Sequence, residues 1–114
     1  MFKKRALATG LCAVALGFST SAMAQQEVED FYRSKKSINM YIGYAPGGSY
    51  DLYARIVARH LGKHLPGHPS VTPNNMPGAG SLQAANYIYA VAPKDGSAIG
   101  ALGETVAMEQ GLRN

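Results

Sequence analysis

The stretch that decides the fold is Ile42-Gly43-Tyr44-Ala45-Pro46-Gly47-Gly48-Ser49-Tyr50-Asp51. A run of strand-forming residues ends there at Pro-Gly-Gly, and a helical pattern begins directly afterwards. The sequence repeats this design at Asn75-Met76-Pro77-Gly78-Ala79-Gly80-Ser81. Each turn offers backbone N–H groups at the start of a helix, where the helix dipole is positive. Two such turns in one small α/β unit predict a place that holds an anion, most simply a carboxylate.

Outward from these turns, the hydrophobic pattern predicts three strands and two helices, and a third helix starts over Glu104–Leu112. The strands are expected at Ile38–Tyr44, Ser70–Asn74 and Ala98–Leu102, and the helices at Tyr50–Leu65 and Ser81–Val91. This βαβαβ order predicts an α/β fold with a parallel sheet and right-handed crossovers. Pro73 cannot donate to a strand ladder, so we expect the second strand at a sheet edge. Ligands of open parallel sheets bind beyond the carboxyl ends of the strands, which is where both turns fall.

The first two predicted helices are amphipathic. The apolar positions of the first are Leu52, Tyr53, Ile56, Val57, Leu61 and Leu65, and those of the second are Leu82, Ala85, Ile88 and Tyr89. Their spacing places each set on one helix face. Ser49 is the expected cap of the first helix, and Asp51 falls in its first turn, where the dipole favours an acid. The tyrosines are numerous for so short a chain, and we expect most of them to fill the core.

The N-terminal segment reads as a secretory signal peptide over residues 1–24. Three basic residues precede the apolar run Ala6–Phe18, and Ala22-Met23-Ala24 forms a cleavage pattern that predicts a cut after Ala24. The alternative is a membrane anchor, but the apolar run is shorter than the roughly 20 residues that span a bilayer. The sequence therefore predicts a secreted, periplasmic protein.

Charge and cysteine content limit the partners of the remaining chain. Removing the three basic residues of the signal peptide leaves 8 of the 11 Lys and Arg against 7 Asp and Glu, so little net charge remains. No basic patch argues for nucleic acid as a partner. The single cysteine, Cys12, lies in the signal peptide, so no disulfide is expected. Residues 25–36 are interpreted as a polar leader segment with a short turn of helix, and residues 37–114 as a partial α/β ligand-binding lobe.

The predicted substrate-binding residues lie in the two turns. They are Pro46, Gly47, Gly48, Ser49 and Asp51 in the first turn, and Pro77, Gly78, Ala79, Gly80 and Ser81 in the second. Tyr44 and Tyr50 flank the first turn and are the tyrosines that can reach a ligand. The alternative for each turn is an ordinary strand-to-helix connection that binds nothing. The alternative for Asp51 is a helix-start acid satisfied by backbone N–H groups.

The residue spacing argues against several other kinds of site. A dinucleotide fingerprint is excluded because Gln83 stands where the third glycine belongs, and no phosphate-binding P-loop is present. His60, His64 and His68 recur every four residues, but Pro66-Gly67 breaks the helix between them and no carboxylate joins them, so we expect solvated histidines and no metal. A serine hydrolase using Ser49 or Ser81 lacks the G-x-S-x-G elbow. We expect no catalytic residues and no cofactor.

Together the motifs resemble the solute receptors of tripartite tricarboxylate transporters, also called Bug proteins. The matching pieces are Ala45-Pro46-Gly47-Gly48-Ser49-Tyr50-Asp51, Ala54-Arg55, Asn75-Met76-Pro77-Gly78-Ala79-Gly80 and Ala92-Pro93-Lys94-Asp95-Gly96. The resemblance implies the first lobe of a type II (Venus flytrap) periplasmic-binding-protein fold. It further implies a monomeric receptor, not an enzyme, that captures a small organic carboxylate through backbone N–H groups, hydroxyls and water and passes it to membrane permease subunits.

Two departures from that family stand out. The second lobe and the hinge are missing, so we expect a truncated or partial protein. Tyr50 stands where small polar residues are common, and Ser81 stands where the family often has another glycine. The competing hypotheses are a remnant that binds nothing and an envelope interaction domain.

Overall fold

The computed structural model describes residues 23–112, and the side chains among them up to Glu109. The chain divides into two units, Met1–Phe31 and Tyr32–Asn114. Within the described residues, helix α1 covers residues 23–34. The predicted signal peptide lies outside the described residues apart from Met23 and Ala24, and residues 25–34 of the predicted leader are helical.

The second unit has the predicted βαβαβ order. Its elements are β1 Ser37–Ile42, α2 Ser49–Leu61, β2 Ser70–Asn75, α3 Leu82–Ala90, β3 Ala98–Ala101 and α4 Thr105–Leu112. The helix predicted to reach Leu65 ends at Leu61 and continues as a short 3-10 turn over Gly62–His64. Among the described residues, no helix is both long and apolar enough to span a membrane.

The three strands form a parallel sheet in the order β2-β1-β3. The prediction of an edge position for β2 is confirmed, and Pro73 lies opposite Met40 in the register. Met40 packs in a cluster with Ala54 of α2, whereas the ring of Tyr41 lies 4.9 Å from that of Tyr87 in α3. Neighbouring strand residues face opposite sides of a sheet, so α2 and α3 cover opposite faces. The unit has the architecture of one lobe of a periplasmic-binding-protein fold.

The face of α2 that contacts the sheet is not its most apolar one. Its buried residues are Asp51, Ala54 and Ala58. Four of the positions assigned to the apolar face, Leu52, Tyr53, Ile56 and Val57, are between 43% and 68% exposed. Asp51 turns inward to its hydrogen-bond partners, and Ala54 and Ala58 follow on the same side at helical spacing. These small side chains pack against Met40 and Ile42, and the larger ones are left in solvent.

The expectation that most of the tyrosines fill the core is wrong for Tyr50, Tyr53 and Tyr89, which are exposed, whereas Tyr44 packs half-buried against the core. Tyr53 is 68% exposed and Tyr89 is 84% exposed. The ring of Tyr89 lies 5.5 Å from the ammonium group of Lys94 at the C-terminal end of α3. The buried hydrophobic residues are instead Ile38, Met40, Ile42, Ala54, Ala58, Ala84 and Ala92. The core is therefore built from β1, from alanines of α2 and α3, and from Ala92 after α3, which makes it sensitive to any added atom.

Candidate functional site

Three loops meet at the carboxyl edge of the sheet. The Ser81 hydroxyl donates to the carbonyl oxygen of Gly43 at 3.3 Å, which joins the second turn to the end of β1. The backbone N–H of Gly103, after β3, donates to the same hydroxyl at 3.1 Å. The two glycine-rich turns therefore lie side by side, as the sequence predicts, with a third loop against both.

The first turn presents its backbone to solvent. Residues 45–50 are exposed, and Gly47 has a φ of 90°, which favours glycine. The helix begins after Gly48, and no side chain caps it. The prediction that Ser49 is the cap is therefore wrong, because Ser49 is the first helical residue. The N–H groups of Ser49 and Tyr50 lie in the first helical turn, where the helix itself supplies no acceptor.

Asp51 is the centre of a hydrogen-bond network beneath this turn. Its carboxylate accepts from the N–H of Gly47 at 2.9 Å, from Nε of Arg55 at 2.9 Å, and from the amide of Asn75 at 2.8 Å. The same Asn75 amide donates to the carbonyl of Tyr44 at 2.9 Å. Nη2 of Arg55 donates a hydrogen bond to the side-chain oxygen of Asn75 at 2.8 Å. The network fixes the first turn to α2 and to the end of β2.

This arrangement bears on the predicted role of Asp51. Its side chain is 6% exposed, and its carboxylate is taken up by protein donors. The positive charge of Arg55 is likewise paired internally, so it does not face a ligand as a free cation. Arg55 and Asn75 belong to motifs quoted from the sequence, but their bonds to Asp51 were not predicted. The four-residue spacing of Asp51 and Arg55 on a helix is the signal that points to Arg55.

Because of this network, the stability of the fold is expected to fall at acid pH. The hydrogen bond from Arg55, followed by those from Gly47 and Asn75, lowers the pKa of Asp51 from 3.8 to about 2. A carboxyl group whose pKa is lower in the folded than in the unfolded chain stabilises the fold at any pH above its unfolded-state pKa. This contribution is lost as the pH falls towards 2. In chemical denaturation from pH 6 to pH 2, we expect Asp51→Asn to be less stable than the wild type at pH 6 and the difference to shrink below pH 4.

Asp95 also has a lowered pKa, because it accepts hydrogen bonds from Ser97 and Lys35. The contribution of Asp51 is therefore the difference in unfolding free energy between the wild type and Asp51→Asn at each pH. Asp95 is present in both proteins, so its contribution cancels in this difference. A difference that stays constant across this pH range would contradict the assigned network.

The second turn has a strained backbone. Ala79, Gly80 and Ser81 have successive φ values of 45°, 59° and 78°, and Gly78 has a φ of 151°. For alanine and serine this left-handed region costs of order 1 kcal/mol or more. Ala79 and Gly80 are exposed, and Gly78 is half-buried. Such strain persists only where surrounding contacts impose it, and here the contacts of Ser81 impose it.

Ser81 is completely buried, with an exposure of 0%. Its hydroxyl donates to Gly43 and accepts from Gly103, so in this structure it holds loops together and does not face solvent. This geometry also argues against Ser81 as a hydrolytic nucleophile, because its proton is committed to a backbone carbonyl and its oxygen is enclosed. Pro46 and Pro77, by contrast, lie on the exposed rims of their turns.

The third loop adds a side chain that sequence reasoning did not single out. Glu104 follows Gly103, and its carboxylate accepts a hydrogen bond from the hydroxyl of Tyr50. The ring of Tyr50 stacks on that of Tyr44 at 4.2 Å with 13° between the planes. The hydrogen bond to Glu104 raises the pKa of Tyr50 to about 12 and lowers the pKa of Glu104. An ionised carboxylate therefore stands beside the first turn.

The three histidines that recur every four residues are not grouped as metal ligands. His60, His64 and His68 are exposed, and Nδ1 of His68 lies 3.1 Å from the carbonyl oxygen of Lys63. Within the part of the chain that the structure describes, no three His, Cys, Asp or Glu side chains are grouped to hold a metal ion.

Two curated proteins are similar to this chain. The UPF0065 protein in gbd 5'region of Cupriavidus necator is 33% identical over 84 residues, which cover 74% of this chain and 25% of that protein. The UPF0065 protein in the tcbD-tcbE intergenic region of Pseudomonas sp. (strain P51) is 29% identical over 89 residues, covering 78% of this chain and 25% of that protein. The chain thus spans about a quarter of the length of these relatives.

UPF0065 proteins are the Bug receptors of tripartite tricarboxylate transporters, so the relatives agree with the resemblance carried by the two turns. No protein-family model matches the chain. No solved structure matches it significantly.

Proposed function

We propose that this chain is the first lobe of a periplasmic solute receptor that captures a small organic carboxylate and delivers it to the permease of a tripartite tricarboxylate transporter. The meeting of the two glycine-rich turns through Ser81 and Gly43 is the observation that carries this proposal. In this function the chain is secreted, needs no cofactor and catalyses no reaction.

The proposed ligand contacts are backbone groups. The N–H groups of Ser49 and Tyr50 point from the exposed start of α2, where the dipole adds to their attraction for an anion. Charge-assisted hydrogen bonds of this kind are about twice as strong as neutral ones. Gly78, Ala79 and Gly80 supply the neighbouring backbone of the second turn. In this proposal Asp51 and Ser81 contribute indirectly, because they hold the two turns in place.

A receptor of this type closes a second lobe over the ligand, and the curated relatives are about four times as long as the match. A single lobe supplies one wall of the site, so we expect it to bind carboxylates weakly, in the millimolar range, where ΔG is about −4 kcal/mol. Amide chemical shifts measured by NMR detect such binding and locate it. Titration with acetate, succinate or citrate should move the amide signals of the two turns and leave those at the C-terminal end of α2 unchanged.

Ser49→Pro is the sharpest test of backbone capture. Ser49 occupies the first helical position, where proline is well tolerated, and Gly48 before it is extended at φ −79° and ψ 172°, as a residue preceding proline prefers. The substitution removes one N–H group without disturbing the helix. Losing one charge-assisted hydrogen bond of about 1.5 kcal/mol or more should weaken carboxylate binding about tenfold or more.

The matched control is Ser49→Ala, which removes the hydroxyl and keeps the N–H group. We expect it to retain most of the wild-type affinity. Equal affinities for wild type, Ser49→Ala and Ser49→Pro would contradict capture by this backbone group, and the absence of any shift in the two turns across the acids would contradict the proposed function.

An envelope interaction domain is the second candidate, and the exposed apolar face of α2 favours it. Leu52 and Val57 are 59% and 51% exposed, and Tyr53 lies between them on the same side. Large exposed apolar patches mark interaction sites. A protein partner bound on that face does not use the N–H of Ser49, so insensitivity of its binding to Ser49→Pro separates this candidate from solute capture.

A further inference from the structure

A groove runs between α2 and the edge strand β2, away from the two glycine-rich turns. It consists of two adjoining cavities of about 270 and 210 Å³, both lined by Ala58, Arg59 and Val71. The larger cavity continues to Lys63 and His68, where α2 has ended and β2 is about to begin. This cavity therefore lies at the amino edge of the sheet, whereas the turns meet at the carboxyl edge.

Positive side chains line this groove without acidic partners. Arg55, Arg59 and Lys63 follow one another at four-residue spacing, so they lie on the same side of the helical segment. Arg55 is paired with Asp51. Among the side chains that the structure describes, by contrast, no carboxylate forms an ion pair with Arg59 or Lys63, and no Asp or Glu lines either cavity. The groove therefore attracts negative charge.

The spacing of these two unpaired cations matches an extended chain. Arg59 lies in the last turn of α2 and Lys63 in the 3-10 turn that follows. Four residues of such a segment advance about 6–7 Å along its axis. Side chains on one side of an extended chain recur about every 6.6 Å. Acidic residues at alternate positions of an extended segment can therefore reach both cations together.

The edge of β2 adds a backbone donor to the groove. The N–H of Ser70 donates to the carbonyl of Lys36 at 3.1 Å, on the side of β1. Successive N–H groups of a strand point to alternate sides within the sheet, so the N–H of Val71 points away from β1, where Val71 lines the groove. Pro73 has no N–H, so a ladder along the whole edge cannot form. Charge pairing must then supply most of the affinity.

We propose that this groove binds an acidic segment of a partner protein in extended conformation. Its alternate carboxylates pair with Arg59 and Lys63, and its backbone accepts a hydrogen bond from Val71. A nucleic acid fits less well, because neither Phe nor Tyr lines the groove for bases to stack on. The groove is separate from the glycine-rich turns, so this inference does not depend on the proposed function.

Three labelled peptides of equal length test the proposal by fluorescence anisotropy with the full chain. The first carries glutamate at every second position, the second carries the same glutamates in a row, and the third carries glutamine instead. We expect the first to bind most tightly and to weaken as salt is added, because salt screens exposed charges. An exposed ion pair contributes up to about a factor of five, so Arg59→Gln and Lys63→Gln should each weaken binding about threefold, and together about tenfold.

Lys94→Gln is the matched control, since it removes one exposed positive charge near the end of α3 and should leave the affinity unchanged. The amide spectrum of each variant reports whether the fold is intact. The inference is overturned if the first peptide binds no more tightly than either of the others, if it does not bind at millimolar concentration, or if Lys94→Gln weakens it as much as Arg59→Gln does. Tighter binding of single-stranded oligothymidylate than of the first peptide would also overturn it, in favour of a nucleic acid.

Discussion

Gly43→Ala should destabilise the lobe more than any other single methyl addition considered for this site. A Cβ atom at position 43 would lie 2.3 Å from the Ser81 hydroxyl oxygen, 2.4 Å from its Cβ and 2.9 Å from its Cα. The last of these is a backbone atom, so the clash is relieved only by separating the two turns. Overpacking of this kind costs about 3 kcal/mol or more, a large part of the roughly 5–15 kcal/mol that holds a small domain folded. Chemical denaturation followed by circular dichroism measures the loss.

Gly48→Ala is the control for Gly43→Ala. A Cβ atom at position 48 would have the carbonyl oxygen of Ala45 as its nearest neighbour at 3.8 Å, an ordinary contact, and the φ of Gly48 is −79°. Because alanine is less favourable than glycine at the N-cap, we expect a loss in unfolding free energy of about 1 kcal/mol or less. Equal stabilities of the two variants would show that Gly43 and Ser81 are not in contact, and would remove the observation that joins the two turns.

Ser81→Ala is expected to have the next largest effect. The substitution leaves the N–H of Gly103 buried without its acceptor and removes a donor from the carbonyl of Gly43. An unsatisfied buried polar group costs about 1–3 kcal/mol. Thermal unfolding should therefore show a melting temperature lower by several degrees, since 1 kcal/mol shifts a domain of this size by roughly 4–8 °C.

Two comparisons isolate the hydroxyl of Ser81. Ser49→Ala removes an exposed hydroxyl that caps nothing, so its melting temperature should stay at the wild-type value. Ser81→Gly relieves the positive φ of 78° but also deletes the hydroxyl, so a smaller loss than in Ser81→Ala is expected from the backbone term. A Ser81→Ala variant as stable as Ser49→Ala would refute the role assigned to this hydroxyl.

Much of the fold follows from local pattern. Strand formers that end at Pro-Gly turns predict the order of elements, and parallel strands put their carboxyl ends at one edge, so the meeting of the turns at Gly43 and Ser81 is confirmed by the structure. Pro73 predicts an edge strand because proline lacks an N–H, and β2 lies at the edge. These inferences need only the periodicity and the stereochemistry of individual residues.

The orientation of α2 was not predictable in the same way. Hydrophobicity favours the face with Leu52 and Val57, but the bonds of Asp51 to Gly47 and Asn75 turn the opposite side towards the sheet. Those bonds join residues as far as 24 positions apart, and a helical period carries no information about them.

The same limit applies to side chains brought together by the fold. Tyr50 and Glu104 are 54 residues apart, so no motif links them. Ser81 has the residue type and position of a helix cap, but its hydroxyl turns inward to Gly43 because the preceding residues take a left-handed path. Local sequence gives the type of turn residue and not the direction in which its side chain points.

The shared hydroxyl of Ser81 has a consequence for protein engineering. Because one oxygen atom joins Gly43 to Gly103, the three loops of the site form a single unit. A redesign that displaces one loop is therefore expected to destabilise the contacts of the other two, by about the 1–3 kcal/mol that an unsatisfied buried polar group costs. Changes to the surface of these loops are best directed at exposed positions, whose side chains can be replaced without breaking that junction.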